Sequence, residues 1–122
     1  MKDGLSDDSS AAKTFVRQRR FTRYPFDARI NVTVFRGGVT TILWGRASEL
    51  GLDGIGATLS GELKDGEVVA LEFPIPLAPL VMKVRAIVRY SEGLRCGFEF
   101  LIVTDEQKET LRRLCEILAT AS

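Results

Sequence analysis

Four arginines in seven residues are the densest chemistry this chain of 122 residues offers. They stand in Arg17-Gln18-Arg19-Arg20-Phe21-Thr22-Arg23, and no acid lies between Asp8 and Asp27 to neutralise them. A guanidinium presents a planar fork of donors that meets a phosphate, or the edge of a guanine, through two parallel hydrogen bonds. The formal net charge is only +1, so the cluster is local in a balanced chain. Its plainest reading is a solvated charge run, because short basic runs recur in many proteins.

Other chemistries are thinly supplied. Histidine is absent, which removes Ser-His-Asp and Cys-His catalysis and the commonest metal ligand. Cys96 and Cys115 have no metal-type spacing and read as small buried apolar residues. No convergent pair of carboxylates stands out. The expectation is a protein with no catalytic residue, no metal and no cofactor.

The elements that must position the arginines follow from patterning. Hydrophobic residues make up 45% and charged residues 27%, the balance of one soluble domain with a core. No apolar run approaches the ~18–20 residues of a membrane span. Residues 1–10 hold no apolar segment of the signal-peptide kind, so the expected location is cytoplasmic. Residues 1–13 read as a disordered tail. Residues 14–122 read as the domain, with a basic entry segment at 17–23, a barrel over 27–102 and a helix over 104–120. Ala28, Ile30, Val32 and Val34 alternate with Arg29, Asn31 and Thr33, a half-buried strand. Arg36-Gly37-Gly38 is a turn, Val39–Trp44 a second β-rich run, and Ile55–Leu59 a third. Val69, Leu71 and Phe73 make a fourth strand, closed by Pro74, Pro76 and Pro79. Leu80, Met82, Val84, Ala86, Val88 and Tyr90 line one face of a fifth, and Leu94, Cys96, Phe98 and Phe100 alternate along a sixth. Thr104-Asp105-Glu106-Gln107 is a capping box, followed by an apolar stripe at Leu111, Leu114, Cys115 and Leu118. The fold class is all-β with one C-terminal helix, a six-stranded antiparallel barrel.

Taken in order, these features resemble the PilZ domain family, from about Arg17 to about Leu118. Arg19-Arg20-Phe21-Thr22-Arg23 fits the family's RxxxR, with Arg19 and Arg23 at its defining positions. Leu63-Lys64-Asp65-Gly66-Glu67-Val68-Val69 is similar to the family's entry into a strand, and Cys96-Gly97-Phe98-Glu99-Phe100 to its last strand. The stretch from Gly45 to Ala57 resembles the second motif, (D/N)xSxxG. Aligned on Gly54-Ile55-Gly56-Ala57, it places Glu49 at the Asp/Asn position, Gly51 at the Ser position and Gly54 at the final glycine. A second register, Ser48-Glu49-Leu50-Gly51, keeps SxxG but puts Arg46 at the acidic position and turns the faces of the next strand.

The resemblance implies a receptor for cyclic di-GMP, with Arg19, Arg20 and Arg23 on its phosphates and guanine edges. Glu49, Gly51 and Gly54 then form the second half of the site, and Arg46 a marginal phosphate contact. It also implies an arginine segment that orders on binding and relays the signal to a protein partner, as yet unidentified. The departures at Glu49 and Gly51 carry the alternative, a degenerate PilZ-like interaction module that binds protein and no nucleotide. A small barrel for single-stranded nucleic acid is a third reading, opposed by the near-zero net charge and the single cluster. On the family pattern, a serine at position 51 supplies the missing hydroxyl and tightens binding two- to ten-fold, the effect of about 0.5–1.5 kcal/mol for one neutral hydrogen bond. Elsewhere the bland readings lead: Trp44 in the core or at the barrel rim, Asp53 as a turn residue, Arg85 and Arg89 as solvated charges, and Phe21 and Tyr24 as anchors.

Overall fold

Alternation along the first strand sets the inside and outside of the sheet. The computed structural model describes residues 21–76 and 80–121. The tail at 1–13, together with Arg17, Arg19 and Arg20, lies outside the described residues. In β1 (Tyr24–Arg36) Phe26, Ala28, Ile30, Val32 and Val34 are buried, while Asp27, Arg29 and Asn31 are exposed. The strands β2 (Val39–Leu50), β3 (Gly54–Leu59), β4 (Val68–Ile75), β5 (Leu80–Glu92) and β6 (Arg95–Ile102) come next, then the helix α1 (Asp105–Ala121). All pairings are antiparallel and the sheet closes in the order β1-β2-β3-β6-β5-β4. Closure removes the two long edges that an open six-stranded sheet would leave.

The core fills the barrel and spreads under the helix. Phe73 packs edge-on against Phe26, with ring centroids 6.1 Å apart, and stacks on Phe100 at 6.4 Å. Leu111 and Leu114 bring one stripe of α1 onto this cluster. The capping box forms as the sequence predicts: Gln107 N–H donates to Thr104 Oγ1 at 3.1 Å, and Thr104 N–H donates to Gln107 Oε1 at 3.0 Å. Cys96 and Cys115 are buried, and burial pushes both thiols up.

Several details depart from the sequence reading. β1 begins at Tyr24 and not at 27, because Tyr24 and Pro25 already pair with Leu50 and Glu49. Pro74 pairs with Val81 inside β4 and does not end it; its fixed φ is compatible with extended backbone. Leu80 is 48% exposed, and Tyr90 is turned outward by a register shift between Val88 and Tyr90. Trp44 is 59% exposed on the outer face of β2 and is not a core residue. Its exposure follows from parity, since Gly45 and Ala47 are the buried members of that alternation.

Candidate functional site

The second motif is shaped by a bulge. In the β2–β3 ladder Ala47 pairs with Ala57 and Glu49 with Gly56, which leaves Ser48 as an extra residue. Across the other ladder, the register slips between Pro25 and Ala28. An extra residue bends a strand and re-aims the residues beyond it. Here it turns the Glu49 side chain onto the outer face, over Gly56. A Cβ at position 56 would lie 2.9 Å from Glu49 Cγ.

Beyond the bulge the chain reverses tightly. Gly51 N–H donates to Gly54 O at 2.9 Å, and Phe100 N–H donates to Asp53 O at 2.8 Å, which ties the turn to β6. Arg23, one residue before β1, lies along this turn. Its guanidinium meets Glu49 Oε2 at 3.4 Å through one terminal nitrogen and Asp53 Oδ1 at 3.4 Å through Nε. The Arg23 side chain is 11% exposed, so these are partly desolvated charges. The contacts are long for charge-assisted hydrogen bonds, whose usual span is ~2.7–2.9 Å. Between Arg23 Nε and Asp53 Oδ1 there is an ion pair without a hydrogen bond, and both atoms are buried without another hydrogen-bond partner. Arg23 is held by charge and enclosure more than by directed bonds.

Glycines make that enclosure possible. A Cβ at position 51 would stand 2.8 Å from Arg23 Cδ and 2.9 Å from Thr22 O. At Gly54 a Cβ would stand 2.0 Å from Phe98 O and 3.0 Å from an Arg23 terminal nitrogen. The first contact is with backbone, so only glycine fits at 54.

The structure therefore brings Arg23, Glu49, Gly51 and Gly54 together. It does not bring Arg46 to them. Arg46 projects from the outer face of β2 and donates twice to Asp27 Oδ1, at 3.0 and 2.8 Å. Both partners are largely exposed. Arg89 is likewise paired with Glu99, and Arg85 lies over the Phe35 ring, 5.8 Å from its centroid. Phe26, three residues past Arg23, is buried against Phe73, while Tyr24 is half-buried and Phe21 is 38% exposed.

Two site members escaped the sequence reading. Asp53 is the second acid on Arg23 and more than a turn residue; nothing in Gly51-Leu52-Asp53-Gly54 says which way its carboxylate faces. The other is Tyr90, whose ring lies so close over Gly97 that a Cβ there would be 2.0 Å from Tyr90 Cε1. A glycine inside a strand pattern does signal such close approach, and Gly97 was legible on those terms. Glu49, Gly56, Gly97 and Tyr90 are successive cross-strand partners over β2, β3, β6 and β5. At ~4.8 Å per strand the row spans about 14 Å. A carboxylate and an aromatic ring lean in over bare glycine backbone from its two ends.

The model of the PilZ domain matches residues 17–116. A search of the curated proteins finds no match. Among solved structures, the PilZ domain of YcgR from Escherichia coli with c-di-GMP superimposes with TM-score 0.68 at 20% identity, over 86% of this chain and 94% of that one. The complex of YcgR with c-di-GMP gives 0.70 at 24% identity, over 88% of this chain and 48% of that one. The PilZ domain of CeSA from a cellulose-synthesizing bacterium gives 0.62 at 18% identity, over 80% and 98%. At these identities the likeness is one of fold.

Proposed function

The chain belongs to the PilZ domain family, and on that premise we propose that it is a non-enzymatic receptor for cyclic di-GMP. The observation that carries this reading is the placement of Arg23 on Glu49, Gly51, Asp53 and Gly54, the meeting of the two family motifs at one spot on the barrel surface. Cyclic di-GMP offers two phosphodiester charges and two guanines. Arg19, Arg20 and Arg23 take the phosphates and a guanine edge through bidentate hydrogen bonds. Arg23 exchanges its two long carboxylate contacts for shorter ones to phosphate. Glu49, released from Arg23, accepts from the ring and amino N–H groups of a guanine. Gly51 and Gly54 let Arg23 lie close over the turn, at the place where the ligand arrives. The Tyr90 ring gives a base an aromatic face on which to stack. Arg46 adds long-range attraction at the margin. The entry segment, drawn onto the ligand, changes the surface offered to a protein partner, which is how the signal leaves the domain.

A second reading is favoured by one observation. Both carboxylates that face the site are already paired with Arg23, so the surface is closed by its own charges. A domain in that state serves as a protein-interaction module without nucleotide.

Calorimetric titration with cyclic di-GMP, with GMP and a short oligonucleotide as controls, separates the two. The receptor reading expects saturable binding of cyclic di-GMP alone. Replacing Arg19 or Arg23 by alanine should remove about 1.5–3 kcal/mol of it, roughly ten- to a hundred-fold in affinity. No heat of binding in the folded wild-type protein would leave the interaction module as the better account. Unchanged affinity in both alanine variants would move the site away from the arginines.

A further inference from the structure

β2 is longer than the strand that covers it. β1 pairs with it from Tyr24↔Leu50 to Arg36↔Val39. β3 pairs with its lower half alone, from Leu50↔Ile55 to Gly45↔Leu59. Ser60 makes the last hydrogen bonds on that side, where its N–H donates to Trp44 O at 2.8 Å and its Oγ accepts from Trp44 N–H at 3.2 Å; Gly61 then passes the Leu43 side chain without pairing with the strand. Past Trp44, no described strand pairs with that side of β2.

The hairpin decides which groups are left there. Arg36 and Val39 flank the two-residue turn Gly37-Gly38, in which both glycines have positive φ, +55° and +79°. Residues flanking such a turn form a hydrogen-bonded pair, and the pattern then alternates along the ladder. Val39, Thr41 and Leu43 therefore aim their backbone groups at β1. Thr40, Ile42 and Trp44 aim theirs the other way, as the Trp44–Ser60 bonds show directly. The N–H and C=O of Thr40 and Ile42 line an edge that β3 does not reach.

Its residues do not defend it. Val39-Thr40-Thr41-Ile42-Leu43-Trp44 is six β-prone residues with no charge, proline or glycine. Exposed edges are ordinarily blunted by lysine, proline or a bulge. Val39, Ile42 and Trp44 are 63%, 64% and 59% exposed, with Phe35 of β1 beside them at 52%.

We infer that two copies of this chain pair through this edge, β2 against β2, about a two-fold axis at Thr41. In that register Thr40 faces Ile42 of the partner subunit and Ile42 faces Thr40 of the partner subunit. Each such pair exchanges both N–H···O=C bonds, so every uncovered group of Thr40 and Ile42 is satisfied in both copies. A second copy is the occupant the chemistry selects. A symmetric contact sets each strand against itself, and an uncharged strand does so with no like-charge repulsion. A foreign strand would find no charge here to read. Trp44 and Ile42 then form one apolar outer face shared by the two copies. Gly45 and the bulge separate this edge from Glu49, so pairing leaves the arginine site open.

Analytical ultracentrifugation of the full chain from about 5 µM to about 1 mM tests the inference, since dimerisation follows mass action. The wild type should pass from monomer to dimer, and the Thr40 and Ile42 amides should become protected from exchange as concentration rises. Ile42→Lys brings a charge beside the axis from each copy and should stay monomeric across the range. Thr40→Pro deletes a donor with no described partner within the chain, so it should fold, by circular dichroism, and also stay monomeric. A wild type that is monomeric throughout overturns the proposal, as does a dimer that both variants leave intact. Thr40 and Ile42 amides protected equally at every concentration would place another segment of the same chain on the edge, and would overturn it too.

Discussion

Placing a serine at position 51 sets a side chain where Arg23 now lies. The backbone itself accepts the change, because Gly51 is not among the glycines with positive φ. Space does not. The new Cβ would be 2.8 Å from Arg23 Cδ and 2.9 Å from Thr22 O. A flexible arginine stem yields cheaply, but Thr22 O is backbone, so the entry segment has to lift. Overpacking of this kind costs ~1–3 kcal/mol. With one contact soft and one hard, we expect about 1–2 kcal/mol at the lower end of that range, a fall in melting temperature of about 3–10 °C for a domain of this size.

The same substitution should affect binding with the opposite sign. If Arg23 leaves its acids for a phosphate, the slot at position 51 opens in the complex and the serine fits. Only the free state is then penalised, and by linkage its loss of stability becomes a gain in affinity. About 1–2 kcal/mol is roughly five- to thirty-fold, on top of the two- to ten-fold expected from the added hydroxyl alone. Thermal melts of Gly51→Ser with and without saturating cyclic di-GMP, beside calorimetry, read both effects. The free variant should melt below the free wild type, and its complex should melt no lower than the wild-type complex. An unchanged melt of the free variant would refute the packing argument. A complex lowered as much as the free protein would show that Arg23 stays on Gly51 when ligand binds.

Three further expectations rest on the contacts of single side chains. Asp53→Asn removes one of two charges from Arg23 and from the path of an anionic ligand. It should tighten cyclic di-GMP binding by at least about two- to five-fold, the worth of an exposed pair, with little dependence on salt because the two paired atoms are buried; weaker binding in the variant would make Asp53 a positioning residue for Arg23 in the complex. Arg36 donates to Glu67 at 2.6 and 2.8 Å, and that hydrogen bonding lowers the carboxyl to about 2 from its ordinary 4.5. The folded state therefore holds the proton less tightly than the unfolded state, so this stability is complete above pH about 4.5 and lost as pH falls toward 2. Arg36 is half exposed, so screening reduces the effect to about 1 kcal/mol; urea midpoints at pH 5 and pH 2.5 should show a smaller difference in Glu67→Gln than in wild type. Thr104→Ala should cost about 1 kcal/mol in chemical denaturation, and a change below about 0.3 kcal/mol would mean that the apolar stripe alone holds the helix.

Strands and helix were legible because burial imposes a period on sequence. β1 alternates without interruption from Phe26 to Val34, and the capping box marks the helix start at Thr104. Bulges were not legible, because an extra residue leaves the local pattern intact on both sides and only changes which face comes next. That is why the outward turn of Tyr90 was missed. A core place for Trp44 failed for a related reason: a large aromatic was assigned by its type, while its parity with exposed Arg46 puts it outside. At the site, Glu49, Gly51 and Gly54 were read from an ordered motif. Asp53 has no periodic signal, and its role exists only once Arg23 folds back across the turn.

On the receptor reading, the glycines would suit this surface to a flat, charged ligand. On an ordinary outer sheet face each Cβ lifts neighbouring side chains away from the backbone. Here Gly51 and Gly54 let the Arg23 stem lie against the turn, Gly56 lets Glu49 lie flat, and Gly97 lets the Tyr90 ring do so. Gly56 and Gly97 are direct partners, so a strip of backbone lies between the carboxylate and the ring. Arg23 rests on its glycines by contact and by two ion pairs of 3.4 Å, longer than directed charge-assisted bonds. A guanidinium held that way can be moved at small cost, while the bonded ladder beneath it stays fixed. A rigid floor with a loosely held arginine over it fits a site whose occupant must displace the arginine before it can use it. On the receptor reading, affinity is set by the difference between two ion-paired states of Arg23, and the acids that would weaken binding by competing for it would also keep the guanidinium where a phosphate would arrive.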